Sequence, residues 1–188
     1  MTRDTGGREV LAEAATDYVL EKGIAGLSLR PLAAALGTSD RMLLYHFGSK
    51  DALVAGVIER SNGRSVAAMQ AMPAARSPRA AVTSLWQVWQ QPTVASCLRV
   101  YAQTAALGLL GKEPYLSAAR RSNELWGAAV ADLMVRSGVP ARRARRVSRL
   151  VDATLFGLSL DQPVDAGSAH VEVVVRDLAD AVHRISTG

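Results

Sequence analysis

Apolar positions along the chain recur at spacings of three and four rather than two, so the pattern reads as helix after helix without convincing strand alternation. Leu11, Ala14, Ala15, Tyr18 and Val19 form one stripe and predict a helix over Arg8–Lys22, stopped by Gly23. Ser28 is placed to cap a second helix running to Leu36, with Pro31 in its first turn, where a missing N–H is tolerated. Gly37 ends it. Ser39 is placed to cap a third helix, Asp40–Phe47, and Ser49 a fourth from Lys50 toward Met69. Met72–Pro78 reads as a connector. Further helices are predicted over Arg79–Gln91, Thr93–Leu110, Tyr115–Ser137, Ala141–Asp161 and Ser168–Ser186, with a loop at Gln162–Gly167. The run Val173–Val175 alone would suit a strand, but helical spacing continues on both sides of it, so helix is the better reading. The expected fold is all-α, with about nine helices.

The second and third helices are both short, and a glycine turn separates them. Ala33 is small where the two would cross, and a Cβ at Gly37 would resist the positive φ that a tight turn often needs. Leu32, Leu36, Leu43 and Phe47 offer a seam that closes the pair onto the first helix. This is the plan of a helix-turn-helix, whose second helix enters the major groove of DNA.

Within that plan, Leu32-Ala33, Leu36-Gly37-Thr38-Ser39, Leu43-Leu44-Tyr45-His46-Phe47 and Lys50 with Leu53 match in order and spacing. The stretch from Leu11 through Ile58 thereby resembles the TetR family of bacterial transcriptional repressors. Leu44 stands where that family commonly has tyrosine, so one phenol able to reach a phosphate is missing, and Thr38 replaces a frequent valine. The remainder matches in architecture only. The resemblance implies a DNA-binding domain over residues 1–50 and a helical effector-binding and dimerisation domain over 51–188.

The chemistry of the motif assigns candidate DNA contacts. Ser39, Asp40, Arg41 and Met42 occupy the first turn of the third helix, with Thr38 just before it. Arg41 can pair with the O6/N7 edge of guanine or touch phosphate alone, and Met42 can pack on a thymine methyl or face solvent. Tyr45 and His46 are candidates for phosphate or sugar, with His46 alternatively a packed structural residue. Lys50 opens the fourth helix, where side chain and helix N-terminus can grip one phosphate. Ser28 and Arg30 are candidate backbone contacts. Asp40 would be repelled by phosphate unless it caps a helix N–H or accepts from cytosine N4.

A single short recognition helix gives little affinity, which two-fold pairing doubles. Val147, Val151, Leu155 and Leu158 on the eighth helix, and Val171, Val174, Val175, Leu178 and Val182 on the ninth, are expected to form a seam with a second copy. The alternative is that both stripes are buried within one chain. Trp86, Trp89, Trp126 and Tyr101 cluster in the fifth to seventh helices although aromatic residues make up only 5% of the chain. They fill a core or line an apolar effector pocket; the resemblance implies a pocket. Gln103 and Asn123 are candidate polar anchors, Met69 and Met72 an adaptable wall, and Cys97 a small buried member of the set rather than a redox sensor. An effector between these helices would shift the fourth helix and move the paired recognition helices off the groove repeat of about 34–36 Å.

Charge qualifies the DNA reading. The chain of 188 residues carries a formal +5, yet residues 1–60 hold seven Lys/Arg against eight Asp/Glu, and residues 61–188 fifteen against nine. That argues against a sequence-indifferent DNA binder, which depends on phosphate charge. Arg142, Arg143, Arg145, Arg146 and Arg149 read as a solvated helix start or a partner-facing rim. No nucleophile elbow, phosphate loop, zinc spacing or dinucleotide fingerprint appears, and Glu113, Glu124 and Asp132 are scattered acids, so no enzyme is expected. His46, His170 and His183 with the single Cys97 do not make a metal site, and no cofactor is expected. The polar first residues and the lack of a long apolar run suggest a cytoplasmic protein. The expected function is a homodimeric repressor released from operator DNA by a small apolar or aromatic effector. An activator, or a regulator without a small-molecule ligand, is the alternative.

Overall fold

The computed structural model describes residues 5–163 and 169–187, so all but the first two residues of the loop expected at 162–167 lie outside the described residues. The elements are α1 (Thr5–Lys22), α2 (Leu29–Ala35), α3 (Asp40–Phe47), α4 (Lys50–Gln70), α5 (Pro78–Trp89), α6 (Pro92–Leu109), α7 (Tyr115–Arg136), α8 (Ala141–Asp161) and α9 (Ala169–Thr187). The all-α expectation holds. Boundaries shift where local chemistry is richer than periodicity. α5 starts at Pro78 because the Ser77 hydroxyl accepts from the Ala80 N–H at 3.2 Å and proline is tolerated at the first helical position. Pro92, which stops α5, is also the first residue of α6.

The chain divides into two compact units, residues 1–65 with 92–123, and residues 66–91 with 124–188. In the first, α1 packs against α2, α3 and α6. Its core joins Ala15, Val19, Ile24, Leu32, Ala33 and Leu43 to Leu53, Val54, Val57 and Ile58 of α4 and Val100 of α6. The core that holds the short helices thus continues past residue 50, because one face of α4 completes it. Burying each such aliphatic side chain contributes about 1.5–3 kcal/mol.

In the second unit α9 lies along α5 and α8. The Ser148 hydroxyl donates to the Gly127 carbonyl at 2.9 Å, joining α8 to α7. Arg143 donates to the Ile185 carbonyl in the last turn of α9, where a cation meets the negative end of the helix dipole. Arg79 pairs with Asp180 at 2.8 Å. This packing encloses most of the residues of the expected dimer seam within the chain itself. Val147, Val151, Leu155 and Val182 have no exposed surface, and Val171, Val175 and Leu178 are also buried within the chain. Leu158 and Val174 are half-buried. A side chain already enclosed by its own subunit has no area left for a second one. The apolar residues that α8 and α9 do expose are Leu150, Leu160 and Val173.

Candidate nucleic-acid interface

Two turns and two caps set the geometry of the short helices. Gly37 adopts φ +65°, with nothing within 4 Å of where a Cβ would stand, so backbone conformation rather than space selects glycine there. The Thr38 N–H donates to the Ala33 carbonyl at 2.9 Å and closes the end of α2. Ser39 caps α3 through a bond from the Met42 N–H at 3.3 Å, and Ser49 caps α4 through one from the Ala52 N–H at 3.0 Å. Leu43 and Phe47 turn into the core, which leaves the opposite face of α3 outward. Met42 is 42%, Leu44 41% and Tyr45 49% exposed, an unusual outlay of large apolar and aromatic surface on an eight-residue helix.

Most expected contacts lie on this outward surface. Ser28, Arg30, Ser39, Asp40, Arg41, Met42, Tyr45 and Lys50 are exposed, and Thr38 is half-buried. His46 differs: it is 8% exposed, with its ring 5.1 Å edge-on from that of Tyr45. The packed reading of His46 fits this geometry, and little of its surface is left for phosphate. Ser28 holds the N-cap position of α2 in extended backbone but makes no side-chain cap bond, so its hydroxyl is not committed to the helix. Asp40 does not cap either. Ser39 supplies the cap, and Asp40 sits in the first turn of α3, where its charge suits the positive end of the dipole.

The structure also resolves the charge puzzle. Arg60 on α4 reaches Glu9 and Glu13 of α1, and Arg64 reaches Glu13 and, at 2.7 Å, Asp17. Three acids of the first 60 residues are therefore paired with two arginines, one of which, Arg64, lies outside that count. Among the described residues Arg8, Arg30, Arg41 and Lys50 carry no ion pair, so the motif region retains cationic groups free to meet a polyanion. Arg8 was not singled out by the sequence. Its guanidinium lies 5.7 Å from the centre of the Phe47 ring, beside the end of α3. A basic residue on the first turns of α1 was visible in the sequence, but its neighbour in space was not.

The expected effector residues divide between the two units. In the first, Tyr101 donates to the Asn123 Oδ1 at 3.0 Å. Cys97 is buried, and burial pushes its thiol pKa up against the opposing influence of Ser61 and Arg64. Gln103, an expected polar anchor, makes structural bonds: its Oε1 accepts from the Ile24 N–H at 2.7 Å and the Ala25 N–H at 3.0 Å. In the second unit Met69 and Met72 are buried and Trp86 is half-buried. The Trp89 and Trp126 rings lie 5.7 Å apart at 55°, a favourable tilted pair. The Trp126 indole N–H donates to Asp152 Oδ1 at 2.8 Å. Burial raises the Asp152 pKa, and that hydrogen bond opposes the rise. The Trp89 Nε1 is buried without a hydrogen-bond partner among the described residues. Sequence reasoning missed Asp152, because a lone acid on a helix carries no signal of the indole it meets.

A buried seam holding two short helices, a capped second helix with its outer face bare, and unpaired cations around it define a helix-turn-helix DNA-binding protein. Residues 11–57 match the family model described as bacterial regulatory proteins, tetR family. The HTH-type transcriptional regulator BetI of Rhizobium meliloti is 27% identical over 184 residues, covering 94% of this chain and 87% of that protein. Among solved structures, a transcriptional regulator from Streptomyces coelicolor superposes with a TM-score of 0.71 at 20% identity, over 96% of this chain and 98% of its own. The multidrug binding protein EbrR complexed with proflavin does so with a TM-score of 0.65 at 25% identity, over 93% and 98%. Residues 11–57 are thus those of a tetR-family DNA-binding domain, and the chain as a whole is similar to transcriptional regulators of that family. Among the described residues no helix is long and apolar enough to cross a membrane.

Proposed function

We propose that the protein is a homodimeric repressor that reads a two-fold operator with one α3 per half-site and leaves it when a small effector binds. The observation that carries this reading is the bare outer face of α3, with Arg41, Met42 and Tyr45 exposed beside cations that no carboxylate neutralises. Arg41 reads a guanine edge. Tyr45, Lys50, Arg30, Ser28, Thr38 and Ser39 position the helix on sugar and phosphate. The DNA-binding part extends beyond residue 50, since α4 supplies part of its core. Pairing engages the surfaces of α8 and α9 that remain outside, around Leu150, Leu160 and Val173, in place of the enclosed valines. The effector is apolar or aromatic and is received by the second unit, where Trp86, Trp89 and Trp126 gather. EbrR in complex with proflavin, an aromatic ligand, is a precedent at the level of fold.

Selection of bound sequences from a random DNA pool tests the DNA part. The expected product is an inverted repeat whose half-sites lie about one helical turn apart or a multiple of it. Unspaced single sites, or a solitary subunit at micromolar concentration, would overturn the dimer. Electrophoretic shifts on the selected operator with a panel of small aromatic compounds test the switch. It fails if no compound changes operator affinity.

A further inference from the structure

We infer that Gln103 is a positioning residue for DNA binding: its side-chain amide fixes the α1–α2 turn and thereby the angle at which α3 is presented. α1 ends at Lys22, and Gly23 donates its N–H back to the Val19 carbonyl at 2.8 Å. The next two backbone N–H groups, of Ile24 and Ala25, leave the helix without intrahelical partners. Both donate to one atom, the Gln103 Oε1 on α6, at 2.7 and 3.0 Å. The carbonyl oxygen has two lone pairs, and both are engaged. The approach leaves no room for a Cβ at Gly23 unless the amide withdraws, since that Cβ would lie 2.8 Å from Oε1 and 2.9 Å from Nε2 of Gln103.

The bolted segment is short and leads straight into the recognition motif. The Leu27 N–H donates to the Ile24 carbonyl at 3.2 Å, and Ser28 then opens α2. Ile24 and Leu27 are both buried in the core that holds α2 and α3. A shift of this turn is therefore transmitted to the seam on which the recognition helix rests. Gln103 lies 79 residues from Ile24 in sequence, on the helix that packs against α1, so one side chain ties a distant helix to the start of the DNA-reading pair. The chemistry calls for an acceptor with two available lone pairs at the end of a side chain of this length. Glutamate satisfies it. Methionine, of similar length, does not.

This inference rests on the paired-helix reading above, and the experiment separates the two. Wild-type, Gln103→Glu and Gln103→Met proteins are each subjected to selection from random DNA and to hydrogen exchange. The wild type is expected to yield one half-site spacing, with the Ile24 and Ala25 amides protected. Q103E should match it. Q103M should expose those two amides while the α1 and α3 amides stay protected, bind the wild-type operator about tenfold more weakly, and accept spacings one base pair longer or shorter. A wild type with no preferred spacing refutes the dimer reading. A wild type with one spacing and a Q103M protein of equal affinity and equal spacing refutes the role of Gln103. Loss of protection throughout α1–α3 in Q103M would also refute it, because the residue would then support the fold in general rather than the turn.

Discussion

Two glycines with positive φ test whether the amide bolt is energetically real, because they differ in what surrounds them. At Gly37, with φ +65° and open space around a built Cβ, replacement by alanine meets only the left-handed backbone cost, about 1 kcal/mol. At Gly23, with φ +88°, the same backbone cost applies. In addition the new Cβ would stand 2.8 and 2.9 Å from the Gln103 amide, which must withdraw. Withdrawal breaks the bonds from Ile24 and Ala25, at about 1 kcal/mol each. Gly23→Ala should therefore cost about 2–3 kcal/mol against about 1 for Gly37→Ala. In a Gln103→Ala background the amide is already gone, so the extra 1–2 kcal/mol should disappear, leaving a double-mutant coupling of that size. Urea unfolding at one fixed protein concentration measures all four variants, since association would shift the midpoints. Equal losses at the two glycines, or a cycle that adds without coupling, would refute the reasoning.

Arg41→Ala should weaken the selected operator by about 1–3 kcal/mol and relax preference at one base pair per half-site while leaving affinity for bulk DNA nearly unchanged; titration against operators varied at single positions measures it. Lys50→Ala should weaken all sequences about equally and lower the salt dependence of binding by about one counterion per subunit, read from affinity against salt concentration. Asp152 has a raised pKa in the folded chain, so the native state holds its proton to higher pH than the unfolded state and stability falls as pH rises from the ordinary carboxylate range through the folded value. Asp152→Asn keeps an acceptor for the Trp126 N–H, and should be more stable than wild type at pH 7 with the difference vanishing in acid; thermal melts across pH check it.

The recognition helix was legible to the residue, because Ser39 and Gly48 bracket Asp40–Phe47 with a side-chain cap and a stop. Ala141–Asp161 was equally clear, with Gly138 and Pro140 ahead of it. What periodicity could not supply was the partner of each apolar stripe. Val147, Val151 and Leu155 form a stripe suited to either a second subunit or the same one, and in the structure all three are enclosed within the chain, where α9 packs along α5 and α8. Long-range polar pairs were similarly silent. Nothing in the sequence distinguishes a glutamine that binds a ligand from one that accepts two turn amides, and nothing places Asp152 beside Trp126. Helix-to-helix ion pairs hid the sign of the motif region as well. A count over residues 1–60 gives excess acid, while Arg60 and Arg64 spend their charge on three of those acids.

That pair of arginines has a mechanical corollary. Arg60 spans Glu9 and Glu13, and Arg64 spans Glu13 and Asp17, so each guanidinium straddles two carboxylates one helical turn apart and the middle glutamate serves both. The ladder therefore holds the two rods together through a shared carboxylate rather than through isolated one-to-one pairs.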